Sequence, residues 1–228
     1  MKYFLSFILL LTLSGSYAQS GFIFGFGYSG ANIKAPRFND FLKSANQVNT
    51  GLTKPFNTDQ FHQGYNIWIG SKSQKSTTVL DFHQLTNKIT GEGVVNSISS
   101  DPGKFEISTR HSSVSFVYDR YLLSFFAVGF QIGYSYSTVR NRQYELAFGE
   151  SKSVVDKKGG IQPGLNAIIQ IPLGKSAFIQ LQPYYEFALY KQDMDNIAFM
   201  YLGADNTAAT KSSLKGMGMH IRLGFEVQ

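Results

Sequence analysis

Phe126-Ala-Val-Gly-Phe-Gln-Ile-Gly-Tyr-Ser-Tyr-Ser137 alternates without a break. On an extended chain Phe126, Val128, Phe130, Ile132, Tyr134 and Tyr136 fall on one side, and Ala127, Gly129, Gln131, Gly133, Ser135 and Ser137 on the other. Successive side chains of a strand point to opposite faces, so the stretch predicts a strand with one apolar face and one small, polar face. The polar set decides its surroundings. A face turned to bulk water would carry Lys, Glu and Thr, whereas Gly, Ser and Gln suit a narrow, crowded interior. The apolar side is therefore expected to point outward.

The same alternation recurs on both sides of this stretch. Before it, Phe22, Phe24, Phe26 and Tyr28 oppose Gly21, Ile23, Gly25 and Gly27; Phe61, Tyr65, Ile67 and Ile69 oppose His62, Gly64, Asn66, Trp68 and Gly70. Weaker versions place Thr78, Leu80 and Phe82 against Val79, Asp81 and His83, and Val114, Phe116 and Tyr118 against Ser113, Ser115 and Asp119. After it, Ile161, Leu165, Ala167, Ile169 and Ile171 oppose Gln162, Gly164, Asn166 and Gln170; Ile179, Leu181, Tyr185, Phe187 and Leu189 oppose Gln180, Gln182, Tyr184 and Glu186. A final run sets Met217, Met219, Ile221, Leu223, Phe225 and Val227 against Gly216, Gly218, His220, Arg222, Gly224 and Glu226. Connections alternate too: long near 31–58, 90–104, 146–158 and 192–212, short near 71–74, 119–124 and 172–176. The pattern predicts an all-β fold, an eight-stranded antiparallel up-and-down transmembrane β-barrel with long loops at one end and short turns at the other.

Export is consistent with this. Lys2, the apolar run Tyr3 to Leu13 and Ser16-Tyr17-Ala18 before Gln19 have the three-part layout of a secretory signal peptide, predicting a leader at 1–18 and one barrel domain at 19–228. The apolar run is too short for a helix to cross ~30 Å of hydrocarbon. With no cysteine, the fold must hold by backbone pairing and packing alone. Only 16% of residues are charged while 15% are aromatic, a balance suited to strands with an apolar outside. The net charge of +6 is scattered through the expected loops, which favours lipid phosphates over nucleic acid as the counter-charge.

On the opening strand Phe22 to Tyr28, the long-loop and short-turn rhythm and the closing strand Met217 to Val227, the chain resembles the small outer-membrane β-barrel domain family of the OmpA/OmpX type. The resemblance implies residence in the outer membrane of a Gram-negative envelope, contact with outer-membrane lipids including lipopolysaccharide, and delivery by the barrel assembly machinery. It departs at Phe225-Glu226-Val227-Gln228, where such barrels often end on an aromatic residue.

Motifs that suggest chemistry have plainer explanations. Gly25-Phe26-Gly27-Tyr28-Ser29-Gly30 matches a dinucleotide-binding string but lies inside an alternating strand, where its glycines relieve crowding. His111, Ser112 and Ser113 pair a base with nucleophiles, yet His111 and Ser113 face inward with no carboxylate evident nearby. His62 and His83 should meet across a turn at Lys72-Ser73; without a third ligand at fixed spacing they read as a hydrogen-bonded pair rather than a metal site. Together with Asp81, Glu186, His220, Arg222 and Glu226 they form an expected polar network filling the lumen, with Arg222 reaching Glu186. Asn39, Asp40, Phe41, Leu42, Ala45 and Val48 suggest a short helix capped by Asn39 or Asp40, in a loop made basic by the candidate contact residues Lys34, Arg37, Lys43 and Lys54. The expected function is an integral outer-membrane barrel, structural or binding a protein partner through its loops, with neither catalytic residues, cofactor nor metal. A component of a secretion or assembly machine, a lipid-modifying acyl hydrolase or transferase, and a soluble lipocalin-like carrier are the alternatives.

Overall fold

The computed structural model describes residues 21–58, 61–95, 98–145, 149–193, 195–202 and 211–227. The expected leader at 1–18 lies outside these residues. In chain order the elements are β1 (Gly21–Lys34), α1 (Pro36–Val48), β2 (Leu52–Lys54), β3 (Phe61–Lys72), β4 (Ser76–Val95), β5 (Ser99–Leu123), β6 (Phe126–Glu145), β7 (Gly149–Pro172), β8 (Ala177–Asp193), α2 (Asp195–Leu202) and β9 (Lys211–Val227). Among the described residues, all strands except β2 pair antiparallel with their sequence neighbours, and β1 with β9 and β4 with β5 complete an eight-stranded ring. β2 attaches only to the far end of β4.

Strand parity follows the alternation. Leu165 is 64% exposed on the outside while Ser135 is fully buried on the inside. Phe22, Phe26, Ile67, Phe130, Ile132, Tyr134 and Ile221 likewise stand outward, forming an apolar belt around the short-turn end of the barrel. A soluble carrier would place these side chains around an internal cavity; here they face the surroundings, and the only solvent that accepts such a belt is hydrocarbon. The lipocalin-like alternative is thereby excluded.

The strands run further than the alternation suggested. Residues 90–104 and 146–158, expected as long connections, are mostly strand, because β4 and β5 stay paired through Glu92↔Lys104 and β7 begins at Gly149. Beyond the belt the pattern inverts: Lys88, Arg110, Arg140 and Arg142 point out, while Leu85, Ile89, Phe105, Ile107 and Val139 are buried inside. A ladder in water needs no apolar exterior, so the signal used to find the strands ends where lipid ends although the backbone pairing continues.

The barrel interior has three layers. At the short-turn end Ile23, Trp68, Val79, Val117 and Phe178 form a small apolar cluster. Gly25 and Gly224 make room for Trp68: a Cβ at either would lie 2.7 or 2.8 Å from its ring. With Gly27 close against the Arg222 backbone and Gly30 against the Phe61 ring, crowding by neighbouring strands accounts for the glycine string of β1 without a nucleotide. The middle layer is polar. At the long-loop end a larger apolar cluster joins Ile33, Leu85, Ile89, Phe105, Ile107 and Val139 to the buried faces of both helices. α1 contributes Phe38, Phe41, Leu42 and Ala45, and Tyr201 of α2 meets the rings of Phe41, Phe56 and Phe105 edge-on at 6.1, 5.2 and 6.0 Å. Asn49 ties the helices together by donating to the carbonyls of Ala45 and Tyr201, both at 2.9 Å.

α1 does not start at Asn39 or Asp40. It begins at Pro36 with Ala35 as N-cap and no side-chain cap; proline presets the helical φ of the first position, where its missing N–H costs nothing, and the Ala35 carbonyl accepts from Phe38 N and Asn39 N at 2.9 and 3.2 Å. Val48, expected on the apolar face, is exposed.

Candidate functional site

The strands aim polar side chains into the middle layer, and those of six converge on one cluster. β4 supplies Asp81 and His83, β5 His111, β6 Gln131, β8 Tyr184 and Glu186, β9 His220 and Arg222, and β1 Ser29, all at inward positions and all buried. Arg222 Nη2 donates to Asp81 Oδ1 at 2.6 Å. The other Asp81 oxygen lies 3.6 Å from His83 Nδ1, and His83 Nε2 lies 3.7 Å from Glu186 Oε1. His111 Nε2 approaches the same Glu186 oxygen at 3.7 Å, while Glu186 Oε2 accepts from Gln131 Nε2 at 3.1 Å. His220 Nδ1 is hydrogen-bonded to Ser29 Oγ at 2.6 Å, and its ring stacks on Tyr184 at 4.3 Å.

Two expected contacts are replaced. His62 does not face His83: the turn closes with Ser73 N donating to Ser76 O at 2.8 Å, which sets Asn66 opposite His83 and leaves His62 bonded to Thr109 Oγ1 at 2.7 Å. The shift is four residues, an even number, so the faces stay correct while the partner changes. Arg222 does not reach Glu186 either, because Gln180 stands opposite Arg222 and Gly216 opposite Glu186. Six residues of strand, about 20 Å, separate those positions, and Arg222 crosses the lumen to Asp81 instead. Glu226 lies apart at the short-turn end, paired with Lys72 at 3.1 Å.

The His111 neighbourhood does contain a carboxylate, Glu186, which strand parity alone could not place. Among the described residues neither serine bonds His111: Ser113 pairs with Ser115 at 3.0 Å, and Ser112 is on the opposite face. The candidate loop contacts lie on three different elements. Lys34 ends β1 opposite Lys215, Arg37 and Lys43 sit on α1 with Arg37 3.8 Å from Asp40, and Lys54 lies on β2, 3.7 Å from Glu92.

A basic site that the sequence reading missed lies on the outer wall. A groove of about 540 Å³ runs across β4 to β7 beyond the apolar belt and carries Lys88, Arg110, Arg140, Arg142 and Lys152. Arg110 stands opposite Thr138 and Arg140 opposite Ser108, which makes the two arginines diagonal neighbours on one face. Some of the charge is balanced: Lys88 lies 3.6 Å from Glu106, and Glu150 binds both Arg142 and Lys152. The hydrogen bond from Arg142, then that from Lys152, lowers the Glu150 carboxyl to about 2. Arg110 and Arg140 have no ion-pair partner among the described residues. The alternation that places Tyr134 and Tyr136 outward continues through Thr138, Arg140 and Arg142, a signal that could have revealed the site.

No protein-family model matches the sequence, and no curated protein matches it. Among solved structures, the barrel is similar to Ail, the attachment invasion locus protein of Yersinia pestis, crystallised in complex with the heparin analogue sucrose octasulfate, at 10% identity over 92% of this chain and 99% of that one, with a TM-score of 0.50. The outer membrane protein OprG from Pseudomonas aeruginosa aligns at 12% identity over 92% of this chain and 97% of that one, with a TM-score of 0.44. At such identity the likeness is one of architecture. The chain has the fold of the small outer-membrane β-barrels.

Proposed function

We propose that this barrel is a non-enzymatic integral protein of the outer membrane whose outward basic groove holds phosphate- or sulfate-bearing saccharide at the envelope surface, and whose filled lumen conducts no solute. The observation that carries the binding reading is the pair of unbalanced arginines, Arg110 and Arg140, set into that groove. Their height fits the ligand. Arg110 is level with Thr138, two residues or about 7 Å beyond Tyr136, and Arg140 lies about 7 Å further out, where headgroup phosphates and core sugars begin. Guanidinium groups grip phosphate and sulfate through paired N–H donors, and two of them side by side repel each other until an anion sits between them. The sulfated ligand of Ail is a feature of that protein, and it suggests the probe. Lumen closure is supported by the three packed interior layers and by eight strands leaving room only for side chains. Ser112, the one outward residue of the His111 group, stands between Gln84 and Tyr136 on neighbouring strands, neither of them a general base at neutral pH, which supports a role without catalysis.

The test uses protein refolded in detergent, titrated with lipopolysaccharide and with sucrose octasulfate at low and high salt. Replacing both arginines, Arg110→Ser with Arg140→Ser, removes two charge-assisted contacts of about 1.5–3 kcal/mol each, an affinity loss of at least tenfold for both ligands. Lys43→Ser with Lys54→Ser serves as a charge-matched control with little effect. Equal losses in the two double variants would reduce the groove to non-specific charge. A steady ion current through the reconstituted barrel would refute the closed lumen.

A further inference from the structure

We propose that the lumen contains a binding site for one divalent first-row transition ion of the Zn²⁺ class, ligated by His83, His111 and Glu186. This is independent of the outer groove, which faces the opposite side of the wall.

The donors converge from three strands. His83 Nε2 and His111 Nε2 each lie 3.7 Å from Glu186 Oε1, and one ligand atom from each residue falls within 4.8 Å of the others. Bonds of about 2.0–2.1 Å in tetrahedral geometry separate donors by about 3.4 Å, so each histidine closes on Glu186 by a few tenths of an ångström, and the two imidazoles, within 4.8 Å of each other, adjust by rotation of their side chains. Two imidazoles and a carboxylate form a donor set suited to Zn²⁺ and its late first-row neighbours, with a fourth position left for water.

Three further observations point to a bound cation. The donor atoms are bare: both ring nitrogens of His83, both of His111 and Glu186 Oε1 are buried and have no hydrogen-bond partner among the described residues. Such groups normally find partners when removed from water. Charge is also out of balance. Glu186 is buried with no Lys or Arg pairing it among the described residues, since the one buried guanidinium, Arg222, is bonded to Asp81. Finally, a second layer stands ready. Asp81 Oδ2 lies 3.6 Å from His83 Nδ1, on the side of the ring away from the site, and is anchored by Arg222; Gln131 holds Glu186 Oε2. A carboxylate behind a metal-binding histidine orients the ring and raises its basicity.

The competing triad, Asp81, His83 and His220, also brings donors within 4.8 Å. It is the poorer site, because the Arg222 guanidinium already occupies Asp81 and would repel a second cation beside it.

The test uses the whole barrel, refolded either with Co²⁺ present or with chelator followed by Co²⁺, so that slow entry into the lumen cannot hide the site. The expected result is one Co²⁺ per chain with tetrahedral visible bands, displaced by Zn²⁺. His111→Asn and Glu186→Gln, each checked for folding by heat-modifiable gel migration, lose affinity at least tenfold, and His220→Asn keeps it. In the unmutated protein, ring ¹⁵N NMR shifts of His83 and His111 move on adding Zn²⁺ while those of His62 and His220 stay, a readout that needs no variant. A folded barrel that takes up no Co²⁺ by either route overturns the proposal. So does a site lost in His220→Asn but kept in His111→Asn.

Discussion

Arg222→Gln should be among the most damaging single changes in the barrel. Its guanidinium is 2% exposed and donates at 2.6 Å to an Asp81 carboxylate that is 1% exposed. Without it, Asp81 keeps only His83 at 3.6 Å and His220 at 3.9 Å, neither a permanent cation. Leaving one partner of a buried ion pair uncompensated costs about 3–5 kcal/mol. Changing both, Asp81→Asn with Arg222→Gln, replaces the orphaned charge by an amide that can hydrogen-bond in its place, and should recover roughly 2 kcal/mol of that loss. Urea unfolding in lipid vesicles with chelator present measures both, and the protein supplies its own reporter: Trp68 is the only tryptophan, and Arg222 lies over its ring at 5.9 Å. Midpoints are compared rather than amplitudes, because the substitution alters the fluorophore's surroundings. Losses that simply add in the double variant would show that the two residues do not interact, and the account of how the lumen is held together would fail.

Phe130→Arg and Leu165→Arg, opposite each other on the outer face of β6 and β7, should each cost about 2–4 kcal/mol in vesicles, and Ile169→Arg less, since Ile169 lies opposite Phe126 beside the short turn. Equal tolerance at all three sites would mean that the belt does not face hydrocarbon. The Glu150 carboxyl, lowered to about 2 by Arg142 and Lys152, should titrate by carboxylate NMR well below the usual 4.5. Its depressed value means that the contribution to stability is complete above pH 4.5 and is lost as pH falls through about 2; Arg142→Gln should move the midpoint up, and an unchanged midpoint would remove the contact. In whole cells a membrane-impermeant thiol reagent should label Gln47→Cys on the exposed face of α1 but not Lys75→Cys in the β3–β4 turn, with the reverse pattern meaning an inverted barrel. Gln47 is the better reporter than its neighbour Asn46, whose side chain is committed to both the N–H and the carbonyl of Phe56.

Legibility varied along the chain for physical reasons. From Phe126 to Ser137, and in the seven companion stretches, each residue's face was readable because lipid outside and a crowded lumen inside impose opposite demands on successive positions. Past Thr138 those demands change: water replaces lipid, outward positions become Arg140 and Arg142, inward ones become Val139 and the walls around both helices, and strand looked like loop. α1 was visible as an amphipathic segment, but its start at Pro36 was not, because no side chain caps it and the capping residue types Asn39 and Asp40 lie inside the helix. The basic groove escaped because Lys88, Arg110, Arg140 and Lys152 are scattered in sequence and come together only when β4 to β7 align.

The sequence by itself determined which side of the wall each barrel residue occupies, since parity is a local property of an extended chain and only an odd register shift can alter it. Which inward residues meet was decided by the tertiary structure. The Ser73–Ser76 turn shifted the β3–β4 register by four and separated His62 from His83, the β8–β9 register separated Arg222 from Glu186, and closure of the ring brought β4, β5, β8 and β9 together across the lumen. Contacts between strands that are not neighbours depend on stagger and tilt around the whole circumference, a quantity that no single segment encodes. The gathering of Asp81, His83, His111, Glu186, His220 and Arg222 is therefore a property of the closed barrel.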